Sequence, residues 1–277
     1  MYNIVFITTF IDDKHIYELI NSVIHSNDRL RVLFIILCQN GYTINIRGEG
    51  LVRICILSIN GQVGLSAARN ICLRYVHDKD IKYDYIMFPD DDSVFDKTFF
   101  LSFYKEIHGN TLIAVKATQD KSTFFLRMPN RRVATKYDFA KAISVNMVIE
   151  SDIINQVGFF DENLGVGCYY GSGEDNDYFI RCSNIKSFTF SNNLWNYHPL
   201  QKNKLKLPIS KLKLRYKSYG RGVVYMLLKH RMIYQALKMV FRGYVGAVVY
   251  MVRLNVKMSY IYVISANERF LTFFRNL

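Results

Sequence analysis

The sequence predicts an α/β fold: a mostly parallel, doubly wound central sheet followed by a basic, amphipathic helical extension. Three observations predict it. Continuous apolar runs alternate with amphipathic ones through the first part of the chain. An acidic triplet, Asp90-Asp91-Asp92, directly follows one of the apolar runs. After about residue 200 the chain turns Lys-rich and then apolar with interspersed cations. With 277 residues, half of them hydrophobic and 15% aromatic, the chain can bury a substantial core, which excludes a disordered protein.

The elements follow in order. Residues 3–9 are an apolar, β-rich run without a basic segment before it, which predicts a first strand and not a signal peptide. Asp12 or Asp13 is placed to cap a helix reaching about Ser26, with Ile16, Leu19, Ile20 and Val23 on one face. Residues 30–38 and 51–59 are continuous apolar runs, as expected of strands covered on both faces. Residues 64–77 predict a helix, 85–88 a strand, 99–107 a helix and 111–117 a strand. This β/α succession predicts a largely parallel sheet, whose ligands bind beyond the carboxyl ends of the strands. Thr8, Thr9, Gln39, Asn40 and the triplet all fall at such ends. Farther on, 123–128 and 132–135 are expected to form a hairpin, 143–149 a strand, and 152–157 a short helix ended by Gly158.

The five cysteines, Cys38, Cys55, Cys72, Cys168 and Cys182, form no Cys-x-x-Cys pair and are odd in number. They predict small buried thiols in a reducing compartment, not a disulfide or zinc framework. The charge is uneven. Between Tyr178 and Asn267 lie sixteen Lys and Arg and no acid, more than the whole net charge of +13, so the preceding part is not basic at all.

Three adjacent carboxylates repel one another. Asp90–Asp92 form either a solvated acidic turn, with Asp92 or Ser93 capping a helix, or a holder for a hard divalent cation. Gly171-Ser-Gly-Glu-Asp-Asn-Asp177 puts Glu174 and Asp175 at an apparent helix start. There they serve the helix dipole or general-base chemistry. The glycines make the preceding loop mobile or tightly turned. Trp195-Asn-Tyr-His-Pro199 carries a histidine that is either structural or a ligand beside carboxylates. Gly64-Leu-Ser-Ala-Ala-Arg-Asn70 reads as a helix start with Arg69 one turn in, either an ordinary ion-pairing residue or a phosphate contact.

Taken in order, the strand ending in Thr-Thr, then Gly-x-Ser-x-Ala-Arg-Asn, Phe-Pro-Asp-Asp-Asp, Val-Gly-Phe-Phe-Asp-Glu (157–162), Gly-Glu-Asp-x-Asp and Tyr-His-Pro resemble glycosyltransferase family 2, of the bacterial surface-polysaccharide type. The resemblance covers residues 1–200 and implies a GT-A fold, Rossmann-like. It implies Asp92 and Asp90 as ligands of Mn²⁺ or Mg²⁺, with His198 completing the set. Asp90 and Asp91 then border a nucleotide-sugar donor, Thr8 and Thr9 its nucleoside, and Arg69 its phosphates. Asp175 becomes the base of an inverting transfer, and Glu174 orients the acceptor hydroxyl. Members often carry an Asp after the second strand that reads a uracil ring. Here the string is Ile36-Leu-Cys-Gln-Asn-Gly41, so Gln39 or Asn40 stands in for it and a UDP-sugar is the expected donor.

The extension, 201–277, falls outside the resemblance. Lys202, Lys204, Lys206, Lys211, Lys213, Arg215 and Lys217 form a basic run, and Lys229, Arg231, Lys238 and Arg242 separate apolar stretches. The longest of these, 244–264, is broken by Arg253 and Lys257, which predicts interfacial helices and not a spanning one. The alternative is a helical subdomain with a solvated basic face. No nucleic-acid-binding module is present. The expectation is a transferase, peripheral on the inner, cytoplasmic face of the cell membrane, that passes a sugar to a glycan or lipid-linked acceptor in surface polysaccharide synthesis. Its rivals are a nucleotidyltransferase and a non-catalytic carbohydrate- or membrane-binding protein. A nucleotidyltransferase needs a Gly-rich, cationic loop after the first strand, where this chain has Thr8-Thr-Phe-Ile-Asp-Asp13.

Overall fold

A computed structural model describes residues 1–12, 14–107, 112–117, 133–198 and 207–277. Asp13 and the expected strand 123–128 lie outside them. Among the described residues one seven-stranded sheet forms in the order β3-β2-β1-β4-β6-β5-β7. Its strands are β1 (Tyr2–Phe10), β2 (Val32–Cys38), β3 (Val52–Ser58), β4 (Tyr83–Met87), β5 (Leu112–Ala117), β6 (Met147–Glu150) and β7 (Thr189–Tyr197). β3, β2, β1 and β4 run parallel, as do β5 and β7, while β6 is antiparallel to both its neighbours. The mostly parallel α/β sheet expected from the sequence is therefore present.

The continuous apolar runs become the buried centre. Every residue of β2 is buried, as it must be in a strand covered on both faces. Phe6 on β1 stacks on Phe95 at 5.0 Å and meets Phe34 edge-on at 5.1 Å. Helix α1 (Ile16–Ser26) buries the expected Ile16, Leu19, Ile20 and Val23. α2 spans Leu65–Asp78, α3 Lys97–Ile107 and α4 Ser151–Val157, the last ended by Gly158 in the left-handed region at φ 72°.

Two expectations are corrected. α1 is not capped by Asp12: its N-cap is His15 with no side-chain bond, and the Asp12 carboxylate accepts from Lys14 N two residues on, a local turn that consumes the cap. The expected strand 143–149 is reduced to β6. Ser144–Asn146 is a 3-10 turn because the Asn146 side chain accepts from Ile143 N and donates to Lys141 O, taking up backbone groups that a strand would need. The expected hairpin of 123–128 with 132–135 lies largely outside the described residues; within them Val133 bridges Thr189 and Ala134 N donates to Phe188 O.

The chain divides into two compact units. The first comprises 1–63, 67–160 and 178–200; the second comprises 64–66, 161–177 and 201–277. The second unit is built on α6 (Ile209–Lys229), α7 (Ile233–Val252) and α8 (Val256–Arg275), and it also holds the first turn of α5 (Glu174–Ser183). The apolar stretch 244–264 is thus two helices, separated at Arg253 and Leu254.

Segment 161–177 is fastened onto α6. Gly171 N donates to Ser218 O, Ser172 Oγ donates to Tyr219 O, and Tyr170 stacks on Tyr225 at 4.0 Å. The Gly-Ser-Gly loop is therefore the tightly turned alternative. Gly222 permits the approach: a Cβ there would stand 2.6 Å from Ser172 N and nearer still to its carbonyl oxygen. Below this loop, Asp177, with a carboxylate 1% exposed, pairs with Lys229 Nζ at 2.8 Å and His230 Nε2 at 2.9 Å. Lys229 also reaches Asp161 at 2.7 Å. Burial alone would raise the Asp161 carboxyl, but hydrogen bonds from Lys229 and Asn163 outweigh it and hold the group below its usual range. Lys229 thus ties two carboxylates together while remaining accessible to solvent.

Two outcomes follow from this packing. Replacing Gly222 by Ala should destabilise the protein by about 1–3 kcal/mol in urea unfolding, through the backbone clash. Helix propensity alone would stabilise Ala by about 1 kcal/mol, so the sign separates the two effects. Lys229→Met should cost about 2 kcal/mol, below the value for fully buried pairs because Lys229 is partly exposed. The lowered Asp161 carboxyl stabilises the fold above its ordinary value near 3.8, and that contribution is lost as pH falls through the folded-state value. Urea midpoints of wild type and Lys229→Met should therefore converge as pH drops below about 4. Curves that stay parallel would mean the pair contributes nothing there.

Candidate functional site

Beyond β4 the chain runs Phe88-Pro89-Asp90 and turns, with Ser93 N donating to Asp90 O. The turn is held against the end of β7. Val94 N donates to Tyr197 O at 2.9 Å and Tyr197 N to Val94 O at 2.8 Å, and the Tyr197 hydroxyl donates to Asp96. This short bridge brings the next residue, His198, to the triplet across 108 positions of sequence. His198 is buried, and its Nε2 lies 3.2 Å from Asp90 Oδ2 and 3.0 Å from Asp92 Oδ1.

Asp90, Asp92 and His198 offer ligand atoms within 4.8 Å of one another, a spread of the size one ion bridges. Asp92 Oδ1 is buried and, although it lies 3.0 Å from His198 Nε2, it accepts no aligned hydrogen bond among the described residues. A buried carboxylate oxygen without an aligned donor is costly, and a cation removes that cost. Two carboxylates and an imidazole form an oxygen-rich set suited to Mn²⁺ or Mg²⁺. The residues present therefore fit a divalent ion.

The electrostatics agree. Asp91, between the two, is pushed up to about 6 by burial first and then by the Asp92 and Asp90 charges. The nearest fixed cation is Arg69 on α2, 3% exposed, with its Nη2 3.7 Å from Asp90 Oδ1. The aromatic rings of Phe88 and Phe160 hold the guanidinium, at 5.8 and 5.3 Å. Asn70 positions Phe160 by exchanging two hydrogen bonds with its backbone, at 2.8 and 3.0 Å. The Arg-Asn pair thus acts as a unit, one residue facing the acids and the other fixing the ring beneath it.

The other expected residues are placed as follows. Thr8 is buried and its hydroxyl donates to Pro89 O, tying the end of β1 to the residue before Asp90. Thr9, the next residue of β1, is half-buried. Gln39 is buried beyond β2, where its Oε1 accepts from Val63 N. Asn40 is exposed, with φ 59°. Glu174 and Asp175 belong to the second unit, where they open α5. Glu174 is buried against Gly165, and Asp175 is half-buried. The structure thus joins Asp90, Asp92, His198 and Arg69 in one cluster within the first unit.

Three residues were given no site role from sequence. Ser93, weighed there only as a helix cap, has a buried hydroxyl without a hydrogen-bond partner among the described residues. Asp177 was quoted in its motif without a role. His230, its partner, carries no local signal at all.

In sequence, residues 4–169 match the family described as Glycosyl transferase family 2. No curated protein matches the chain. Among solved structures, TarS 1-349 of S. aureus in complex with UDP-GlcNAc is similar with a TM-score of 0.57 and 14% identity, covering 82% of this chain and 66% of that one. The mannosyltransferase PcManGT from Pyrobaculum calidifontis, in complex with GDP-Man and Mn²⁺, is similar with a TM-score of 0.57 and 10% identity, covering 97% of this chain and 87% of that one. Against a longer TarS structure the TM-score is 0.54 at 13% identity, and this chain spans 43% of that length. At such identities these structures speak to the fold alone, and they agree with the sheet and helices described here. The family match runs through the acidic turn and Arg69 over well more than half of the sequence, and on that ground the chain belongs to glycosyltransferase family 2.

Proposed function

We propose that this protein is an inverting, divalent-metal-dependent glycosyltransferase that uses a nucleotide-diphosphate sugar, with UDP as the expected nucleotide. The observation that carries the reading is the cluster of Asp90, Asp92 and His198, whose ligand atoms lie within 4.8 Å of one another around a buried Asp92 oxygen. Family membership and the nucleotide sugars bound by TarS and PcManGT support the donor class.

In this reading Asp92 and Asp90 supply oxygens to the ion and His198 its Nε2. A divalent ion bound by these residues would supply charge to offset the donor's diphosphate. Arg69 adds a fixed positive charge on the donor side, and Asp91 borders the same pocket. Thr8, Thr9 and Gln39 line the strand ends where the nucleoside lies. Asp175 takes the proton from the acceptor hydroxyl as that oxygen attacks the anomeric carbon from the side opposite the leaving nucleotide, and configuration inverts. Glu174 orients the hydroxyl. Positioning and charge stabilisation carry most of the rate.

The acceptor in this reading is a glycan or lipid-linked glycan in surface polysaccharide synthesis, met by a peripheral enzyme on the inner face of the cell membrane. The strongly basic composition of the C-terminal helices supports that location. The nucleotidyltransferase alternative is disfavoured because β1 leads to Thr8-Thr-Phe-Ile-Asp12 with no Gly-rich, cationic loop.

Hydrolysis of nucleotide sugars in the presence of Mn²⁺ tests the reading. Asp92→Ala should lower it by at least about 100-fold and weaken donor binding. Hydrolysis unchanged in Asp92→Ala removes the metal assignment. Asp175→Asn should lower transfer by about 10²–10⁴-fold while donor binding stays near wild type. Loss of donor affinity as large as that of Asp92→Ala would make Asp175 a donor ligand and not the base.

A further inference from the structure

Helices α7 and α8 carry an apolar surface that the described residues leave uncovered. On α7, Leu237, Phe241, Tyr244, Val248 and Val252 are exposed at spacings of four, three, four and four, one stripe along the helix. On α8 the exposed Val256, Tyr260, Val263, Phe270 and Phe274 form a second stripe. The two stripes make a single face. The Tyr244 hydroxyl donates to Asn267 between them, and a cleft of about 390 Å³ is lined by Leu237, Phe241 and Tyr244 on one side and Phe270 and Phe274 on the other. The turn joining the helices is the most exposed apolar point: Val252 is 78% and Leu254 88% exposed, with Arg253 and Lys257 beside them. Contiguous apolar patches of this kind mark a surface that is covered in use.

Charge identifies the cover. Lys238 and Arg242 on α7, Arg253 in the turn, and Lys257 and Arg275 on α8 are all exposed around the face. The acid carried by these two helices is Glu268, and it is already paired with Lys217 and Arg221. A second copy of the chain would bring the same cations together with no carboxylate from these helices to offset them. A bilayer with anionic headgroups supplies an apolar interior and a negative surface in one partner. No described helix is long and apolar enough to cross it.

The geometry points to the α7–α8 hairpin as an interfacial anchor: its apolar face lies about 5–10 Å into the headgroup boundary of an anionic bilayer, with the turn around Leu254 inserted and the flanking cations on the phosphates. This deepens the membrane location proposed above but rests on a different surface from the transfer chemistry.

Full-length protein sedimented with vesicles of equimolar phosphatidylglycerol and phosphatidylcholine tests it. Wild type should bind these vesicles and bind pure phosphatidylcholine weakly. Arg253→Gln with Lys257→Gln should weaken binding about 25-fold, roughly five-fold per cation. Leu254→Ser, which changes no charge, should weaken it about ten-fold. Both variants alter exposed positions, and metal-dependent donor hydrolysis in solution should match wild type, which controls for folding. Wild-type vesicle binding by both variants overturns the anchor. So does wild-type protein that stays off the vesicles, whether as a self-associated species dispersed by Leu254→Glu or in stable complex with an acidic soluble protein. Wild type that binds vesicles in this pattern yet hydrolyses no nucleotide sugar overturns the transferase reading and leaves the anchor standing.

Discussion

The first unit depends on a local conflict of charge. Asp90, Asp91 and Asp92 stand side by side at the end of a buried strand, where burial first, and then the charges of its two neighbours, raise the Asp91 carboxyl. The fold answers from two directions. Arg69 comes from α2, its guanidinium confined between aromatic rings, and His198 comes from the end of β7. Neither contact neutralises the group completely. Asp92 Oδ1 remains buried without an aligned hydrogen bond among the described residues, and Asp91 remains raised. An incompletely compensated acidic cluster is unfavourable for an empty protein and favourable for one that takes up a cation.

The second unit resolves its charges internally. Asp161, Lys229, Asp177 and His230 form a closed set, and Glu268 is shared by Lys217 and Arg221. These ties fix the loop carrying Glu174 and Asp175 onto α6. The basic residues left over include exposed Lys211 and Lys213 on α6 and Lys238, Arg242, Lys257 and Arg275 on α7 and α8. One composition thus serves two purposes: a minority of the cations hold the unit together, and the remainder give it a surface of one sign.

The sheet was legible in the sequence because strands buried on both faces are written as unbroken apolar runs, β2 above all. The acidic triplet and Arg69 were legible because adjacent like charges and a helix-start motif are local patterns. What could not be read were features made by non-local pairing. Nothing near His198 says that Val94 and Tyr197 exchange hydrogen bonds, yet that bridge places the imidazole. Lys229 looked like one more cation of a basic tail, since its partners Asp161 and Asp177 are 68 and 52 positions away, and half-burial is invisible in composition. The strand expected at 143–149 failed for the opposite reason. Its apolar residues suit a sheet, but the Asn146 amide competes for the backbone at close range.

The bridge between Val94 and Tyr197 also orders events in time. β7 is the last strand of the sheet in the chain, and closing a loop of about a hundred residues is entropically slow. Two of the three proposed ligand residues are present once β4 is in place, but the third arrives only when β7 docks. An ion that needs all three has no comparable site in a partly assembled chain, so its affinity adds to the stability of the finished sheet alone. In the proposed reading, uptake of the cation would work as a latch: it would close behind the final strand and discriminate complete molecules from incomplete ones.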